Sequence, residues 1–337
     1  MATFDPAHPR FQGFDLIQAT YKHVGDHAVR VDVLVPQTLE TGKRPTIVRF
    51  HGGGLVTNQF EQVMADSIFA DFWPQWLSDL ALRHSAIVVS PNYRLMPQAT
   101  GLDIYDDIED FWTWLRSPDF QELLAKHKIP TQLDLDRILV TGESAGGLLS
   151  INASLTHASE VRAAIATYPS LDPSSPDFTQ PRTDLLPFGQ SLPESLIEDV
   201  LGPVRDGNPV SSLVGQEYLP VMCAAIQYGR LGGWYARESQ ESARQKLLYP
   251  VRRLEEPDVQ VPVGGITIIQ GKQDSVVPAS HSVPFVERAR EVLQGKPGAE
   301  RISLVLRDGE HGFDAEVRYE EQWMKEALQT AVGAWLA

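Results

Sequence analysis

The stretch DRILVTGESAGG, Asp136–Gly147, decides the fold. Its first half is short, branched and apolar without alternation, the pattern of a strand covered on both faces. Its second half holds one serine among small residues and fits G-x-S-x-G. A strand that turns at once into a helix makes a tight bend, and bulky side chains at Gly142 or Gly146 would collide there. The bend leaves Ser144 exposed at the N-terminus of the following helix, where unpaired amides and the helix dipole favour negative charge. Alone the pattern is weak; its place between a strand and a helix gives it weight.

Similar apolar runs recur on both sides: RPTIVRF (Arg44–Phe50), SAIVVSPNY (Ser85–Tyr93), VRAAIATY (Val161–Tyr168), VGGITIIQG (Val263–Gly271) and RISLVLRDG (Arg301–Gly309). Upstream, YKHVGDHAVRVDVLVP (Tyr21–Pro36) alternates polar and apolar residues across a Gly-Asp turn, which predicts antiparallel strands at a sheet edge. Helical spacing marks Pro74–His84, Asp103–Arg116, Ala145–His157, Val283–Leu293 and Ala315–Trp335. Alternating strands and helices predict an α/β fold, a mostly parallel sheet of about eight strands between helical layers. Ligands in such sheets sit at the carboxyl ends of the strands.

The alternation breaks over about 171–257, between the sixth and seventh strands. This stretch is too long for a connecting loop. It holds short helical pieces such as PESLIEDVLG (Pro193–Gly202) and ESARQKLLYP (Glu241–Pro250), so an inserted helical cap is expected there. Residues of about 1–25 are expected to pack with it, within a single domain over 1–337.

The chain has 337 residues and a net charge of −15, with its acidic residues scattered. Such a surface argues against nucleic acid or an anionic membrane as partner. Cys223 is the single cysteine, so no intramolecular disulfide can form. The N-terminus, MATFDPAHPRFQGF, lacks the basic start and apolar core of a secretory signal. No apolar run approaches a membrane span. A cytoplasmic protein is expected. The sequon at Asn152 falls in a helix expected to be buried, which disfavours glycosylation.

A serine hydroxyl needs a base. The chain has nine histidines. His311, in RDGEHGF, follows the last strand directly. His281 is the serious competitor, but it begins a helix, which suits capping better. The base needs an acid to hold its tautomer. Asp274, in QGKQDSVVP, follows the seventh strand. The chain order Ser144, Asp274, His311 is the one such a sheet requires. Glu310 and Asp308 lie nearer His311 in sequence, but neighbours seldom orient an imidazole well, and both read as loop residues. HGGG, His51–Gly54, ends the third strand. Attack on a carbonyl makes an oxyanion that needs preorganised N–H donors. Gly52 and Gly53 can supply two and Ala145 a third. A phosphate loop is the rival for HGGG, but its Lys and Ser/Thr are missing.

With these pieces placed, the chain resembles the hormone-sensitive-lipase-like group of α/β-hydrolases, the family IV esterases. HGGG, NYRLMPQ, DRILVTGESAGG, GKQDSVVP and EHGF stand in the family order. The resemblance runs from about Arg44 to the C-terminus, apart from the variable lid. It implies a Ser144–Asp274–His311 triad, an oxyanion hole of Gly52, Gly53 and Ala145, no cofactor and no metal. It implies hydrolysis of small-molecule carboxylic esters, often of short or medium acyl chains, in a pocket shaped by the lid and N-terminal segment. His51 would orient the glycine loop, and Tyr93, Arg94 and Asp107 would be structural, with Gly54, Glu143, Gly142 and Gly146 supporting the motifs. Glu143 departs from the usual Asp or Thr before the serine, Asn92 from an acid, and Leu55 from a smaller or aromatic residue. Acyl transfer, thioester or amide cleavage on the same triad is the alternative, on a specific natural-product substrate; a ligand receptor on this fold is a more distant one. No nucleic acid and no stable membrane association are expected, and the oligomeric state is open to a homodimer.

Overall fold

The computed structural model describes residues 8–56, 73–198, 208–211 and 218–337. Eight strands form one sheet: β1 (Phe14–Val24), β2 (His27–Pro36), β3 (Gly42–Phe50), β4 (Ile87–Pro91), β5 (Thr131–Glu143), β6 (Ala163–Thr167), β7 (Ile266–Gly271) and β8 (Ser303–Arg307). Their order is β1-β2-β4-β3-β5-β6-β7-β8. β1 pairs antiparallel with β2, and β2 with β4; every other pair is parallel. The α/β expectation and the edge hairpin both hold. The uninterrupted apolar runs of β4, β6 and β7 are buried along their whole length, as strands covered on both faces must be.

The helices that cover the sheet and border its site are α1 (Gln75–Arg83), α2 (Gly101–Trp114), α3 (Pro118–Ala125), α4 (Ala145–Thr156), α5 (Tyr218–Gln227), α6 (Leu231–Ala236), α7 (Ser282–Val292) and α8 (Gln322–Leu336). Trp76 and Leu80 of α1 and Met324, Leu328 and Trp335 of α8 cover one face of the sheet, over Ile47, Val88, Leu139 and Ile165. Ile104, Ile108 and Phe111 of α2 and Leu148 and Leu149 of α4 cover the other, over Val48, Val89 and Val140. α7 extends that second layer over β7 with Phe285, Val286 and Ala289. α2 starts on a reciprocal cap: the Thr100 hydroxyl accepts from the Asp103 amide, and the Asp103 carboxylate accepts from the Thr100 amide.

The ends of several elements differ from expectation. The last helix begins at Gln322, not Ala315, because residues 315–321 fold as turns that reach back to α1: the Gln75 amide donates to Ala315 O at 2.9 Å. α3 is an addition to the expected helices, although Ser117-Pro118 is a cap followed by proline in a first turn. ESARQKLLYP forms turns and a short 3₁₀ stretch, Gln245–Leu248, rather than an α-helix. The end of PESLIEDVLG and the stretch 57–72 lie outside the described residues.

The N-terminal expectation needs correction. In place of a cap element over about 1–25, Phe14–Val24 is β1, paired with β2 across ten residues of register. Ahead of it, Phe11 packs edge-on against Trp73 at 5.4 Å, in the cluster that covers the α1–α8 face. Half-buried residues of β1 supply what the edge of β2 lacks, a backbone partner.

β1 is also tied to α2 by charge. Asp107, fully buried, accepts from Lys22 Nζ of β1 at 2.7 Å, from Arg94 Nε at 2.9 Å and from the Arg94 amide at 2.8 Å. Removing the carboxylate takes away the one buried acid the two cations share, leaving Lys22 only the half-exposed Asp110 and Arg94 only Asp103. Asp107→Ala should lower the unfolding free energy by about 3 kcal/mol in urea titration, since both cations lose their buried, shared partner and keep only more exposed ones. A change within about 0.5 kcal/mol would contradict this role.

Candidate active site

β5 runs straight into α4, and Ser144 takes the bend between them with φ 56°, ψ −118°. A non-glycine residue held at positive φ stores strain of the kind found at functional sites. The flanking glycines explain how the bend closes. A Cβ on Gly146 would lie 2.0 Å from Phe50 O, and one on Gly142 would lie 2.2 Å from Gly146 O. No side chain fits at either place. The Ser144 amide donates to Thr167 O at 2.9 Å, and Ser144 O accepts from the Ser170 amide, so the neighbouring β6 end grips the bend from both sides.

The end of β3 crosses directly over this bend. Gly53, at φ +99°, and Gly54, at φ +66°, carry the chain past Ser144 in a conformation that favours glycine. Gly52, Gly53 and Ser144 line one cavity, and Ala145 stands at the first turn of α4. Among the described hydrogen bonds, none takes the amides of Gly52, Gly53 or Ala145. His51 lies flat on Tyr93, ring centroids 4.3 Å apart, and its Nδ1 donates to Gly52 O at 2.8 Å. Tyr93 Oη in turn donates to His51 O at 2.6 Å. Burial drives the His51 pKa down to about 4, so the ring is neutral and serves as a fixed donor to the loop.

Glu143, next to the serine, pairs with Arg49 of β3 through two contacts, Nη2 to Oε2 at 2.8 Å and Nε to Oε1 at 3.1 Å. Both side chains are buried, and the Arg49 guanidinium lies over Trp73 at 4.5 Å. The departure at Glu143 thus has its counterpart on the adjacent strand. Burial pushes the Glu143 carboxyl up from the ordinary carboxylate range, against the pull of Arg49.

The loops after β7 and β8 bring acid and base together. Asp274 is buried, and its carboxylate accepts from the amides of Val276 and Val277 at 3.0 and 2.8 Å and from Gln270 Nε2 at 3.1 Å. Its Oδ2 lies 2.9 Å from His311 Nδ1. Facing a carboxylate, Nδ1 carries the proton and donates, which leaves Nε2 as the basic nitrogen. His311 and Ser144 line the same cavity of about 290 Å³. Among the described hydrogen bonds none joins the two.

Glu310 does more than a loop residue was expected to do. Its Oε1 accepts from the amides of both Ser275 and His311, at 2.6 and 2.7 Å, and so staples the two loops together. Asp308 stays at the surface against Lys272. His281 stands at the N-cap position of α7 but makes no capping bond; its Nε2 meets Asp177 Oδ2 at 3.0 Å. Asn152 is buried within α4, with its Nδ2 on Leu248 O.

Several residues at the site carried no sequence signal. Tyr168, at the end of β6, sets its ring 4.5 Å from His311 and donates to Asp314 Oδ1 at 2.7 Å. Trp76 Nε1 holds the other oxygen of Asp314 at 2.9 Å, and burial pushes that carboxyl up. Its place at a strand end could have flagged Tyr168. Phe188, Leu219 and Met222, from the chain between β6 and β7, also line the cavity, and nothing in the sequence marked them. Among the described residues no group of three or more His, Cys, Asp or Glu side chains is placed to hold a metal ion, and no helix is long and apolar enough to cross a membrane.

Comparison with known proteins agrees with this architecture. A family model described as alpha/beta hydrolase fold matches residues 47–223, just over half of the chain. A probable carboxylesterase M8 of Phoma sp. is 29% identical over 98% of this chain and 99% of its own length. A probable carboxylesterase clz11 of Cochliobolus lunatus is 32% identical over 57% of this chain and 86% of its own. Among solved structures, Thermogutta terrifontis esterase 2 with bound butyrate superposes with a TM-score of 0.56 at 17% identity, over 98% of this chain and 95% of that one, a likeness of fold. The strand order, the serine bend and the matched span lead to one conclusion: the chain belongs to the α/β-hydrolase fold family.

Proposed function

We propose that the protein is a carboxylic ester hydrolase that works through Ser144, His311 and Asp274. The observation that carries this reading is the 2.9 Å bond from His311 Nδ1 to the buried Asp274, on a cavity that Ser144 also lines. Asp274 fixes the tautomer and stabilises the imidazolium that forms. His311 Nε2 takes the hydroxyl proton as Ser144 Oγ bonds to the ester carbonyl carbon. The oxyanion rests on the amides of Gly52, Gly53 and Ala145, at the positive end of α4. His311 then gives its proton to the leaving alcohol, and a water activated by the same nitrogen releases the acid. The full-length likeness to a protein named a probable carboxylesterase supports the same chemistry.

The chain from about 171 to 257 acts as the cap in this reading. Arg182 donates to Ser275 O at 2.8 Å and Val276 O at 3.1 Å, and the Phe188 amide donates to Ser275 Oγ. Cap and acid loop are thereby joined at the backbone beside Asp274. The substrate is a small-molecule ester, and the site is expected to work without a cofactor, in the cytoplasm.

Ser144→Ala and His311→Ala should fold and lose about 10⁵-fold or more in kcat, and Asp274→Asn about 10⁴-fold, in an assay with simple aryl esters. Most of the activity surviving in Ser144→Ala would sink the mechanism.

The neutral state of His51 has a consequence for stability. Its folded pKa is about 4, below the 6.5 of an unperturbed histidine, so the unfolded chain takes up the proton first as pH falls. The stabilisation is complete above pH 6.5 and is lost progressively toward pH 4, a change on the order of 3 kcal/mol. His51→Gln lacks this dependence. Urea titrations at several pH values should show the stability gap between wild type and variant narrowing as pH drops through that window; a gap that stays constant contradicts a buried neutral ring.

A further inference from the structure

Two spaces meet at Ser144. One is the cavity of about 290 Å³ that His311, Gly312 and Phe188 border. The other is a small space of about 10 Å³, bordered by Ala145, Leu148, Phe178, Ile226, Tyr235 and Val277. Only Ser144 and Met222 border both among the described residues.

The chemistry assigns the two halves of an ester to these spaces. Bound for attack, the ester has its carbonyl carbon at Ser144, with the acyl and alkoxy groups pointing apart. The alkoxy oxygen must reach the proton on His311. The alcohol therefore lies in the large space that His311 borders, and the acyl group is left with the small one. That space has room for about one water-sized group. A methyl fits; a chain of several methylenes does not. Its walls are part of the main hydrophobic cluster, with Leu148, Phe178, Ile226 and Tyr235 all buried, so it cannot widen without repacking the core. Met222, on α5, is the movable partition. It is packed so tightly on the glycine loop that a Cβ on Gly54 would lie 2.5 Å from its Cγ. An unbranched thioether is also the wall most able to shift.

We infer that the substrate is the acetyl ester of a bulky, largely apolar alcohol, and that Met222 sets the acyl limit. This rests on the hydrolase reading above. The step is balanced with water alone: Ser144 Oγ bonds to the acetyl carbon as its bond to the alkoxy oxygen breaks, His311 protonates the departing alcohol, and water then releases acetate.

The test measures kcat/KM for the acetate, butanoate and hexanoate of one aryl alcohol, 4-nitrophenol, with wild type and Met222→Ala. Wild type should cleave the hexanoate at least about 100-fold less efficiently than the acetate. In Met222→Ala the hexanoate-to-acetate ratio should rise about tenfold or more. The wild-type profile stands whatever the stability of the variant. Hexanoate cleaved as well as acetate by wild type overturns the inference, and so does an unchanged ratio in a Met222→Ala protein whose circular dichroism is native. Labelling of Ser144 by methylphosphonyl fluoride separates the two levels of failure. A labelled enzyme without acetyl preference overturns the inference alone; neither labelling nor turnover of any ester overturns the hydrolase reading beneath it.

Discussion

The site depends on a contact between two pieces of backbone. At the crossing of β3 over the bend after β5, the Phe50 and His51 carbonyls lie where a Cβ of Gly146 would have to be, at 2.0 and 2.6 Å. β3 and β5 are adjacent parallel strands, with Phe50 opposite Gly142, so their ends emerge side by side. With no side chains between them, the strand that carries Gly52 and Gly53 can approach the serine closely. A Cβ on Gly52 would be 3.0 Å from Glu143 O and 3.4 Å from Ser144 Cβ. Any larger residue at the bend would push the donor loop away from the nucleophile. The strain at Ser144 and the stacked His51–Tyr93 pair both follow from holding this crossing shut.

Four carboxyl groups around the cavity occupy four different environments, and this separates their roles. Asp274 is surrounded by donors, two amides, an amide side chain and His311, which fix its carboxylate against the imidazole. Glu310 spends its oxygen on the amides of two loops and fixes their separation. Glu143 faces a buried arginine, and Asp314 a tyrosine and a tryptophan; burial raises both. Among the described hydrogen bonds neither of the last two meets His311, although Asp314 is only three residues away along the chain. Proximity in sequence was a poor guide to which acid would meet the imidazole, because the loop turns the Asp314 carboxyl inward to Tyr168 and Trp76.

Much of the fold was legible because parallel strands covered on both faces must be apolar throughout. β3, β4, β6 and β7 stood out for that reason, and Ser144, Asp274 and His311 could be picked by the rule that chemistry gathers at strand ends. β1 was harder. Its residues are only half buried, and a bulge between Thr20 and Lys22 breaks the alternation, so the strand pattern is visible only from Tyr21 onward and Phe14–Thr20 resembles cap. The start of α8 was misplaced because Ala315–Glu321 carries apolar residues that pack as turns. Phe188 and Met222 were invisible, since an aromatic or thioether side chain in an irregular or inserted segment looks the same whether it lines a cavity or fills a core.

By itself the sequence determined the sheet, its layers and the residues at the strand ends, because periodicity and glycine sterics are local properties of the chain. Tertiary structure alone decided how large the spaces beside Ser144 are, which of them faces His311, and that a methionine stands between them. Those are volumes enclosed by segments far apart in the chain, and a volume has no counterpart in the order of residues along any one of them.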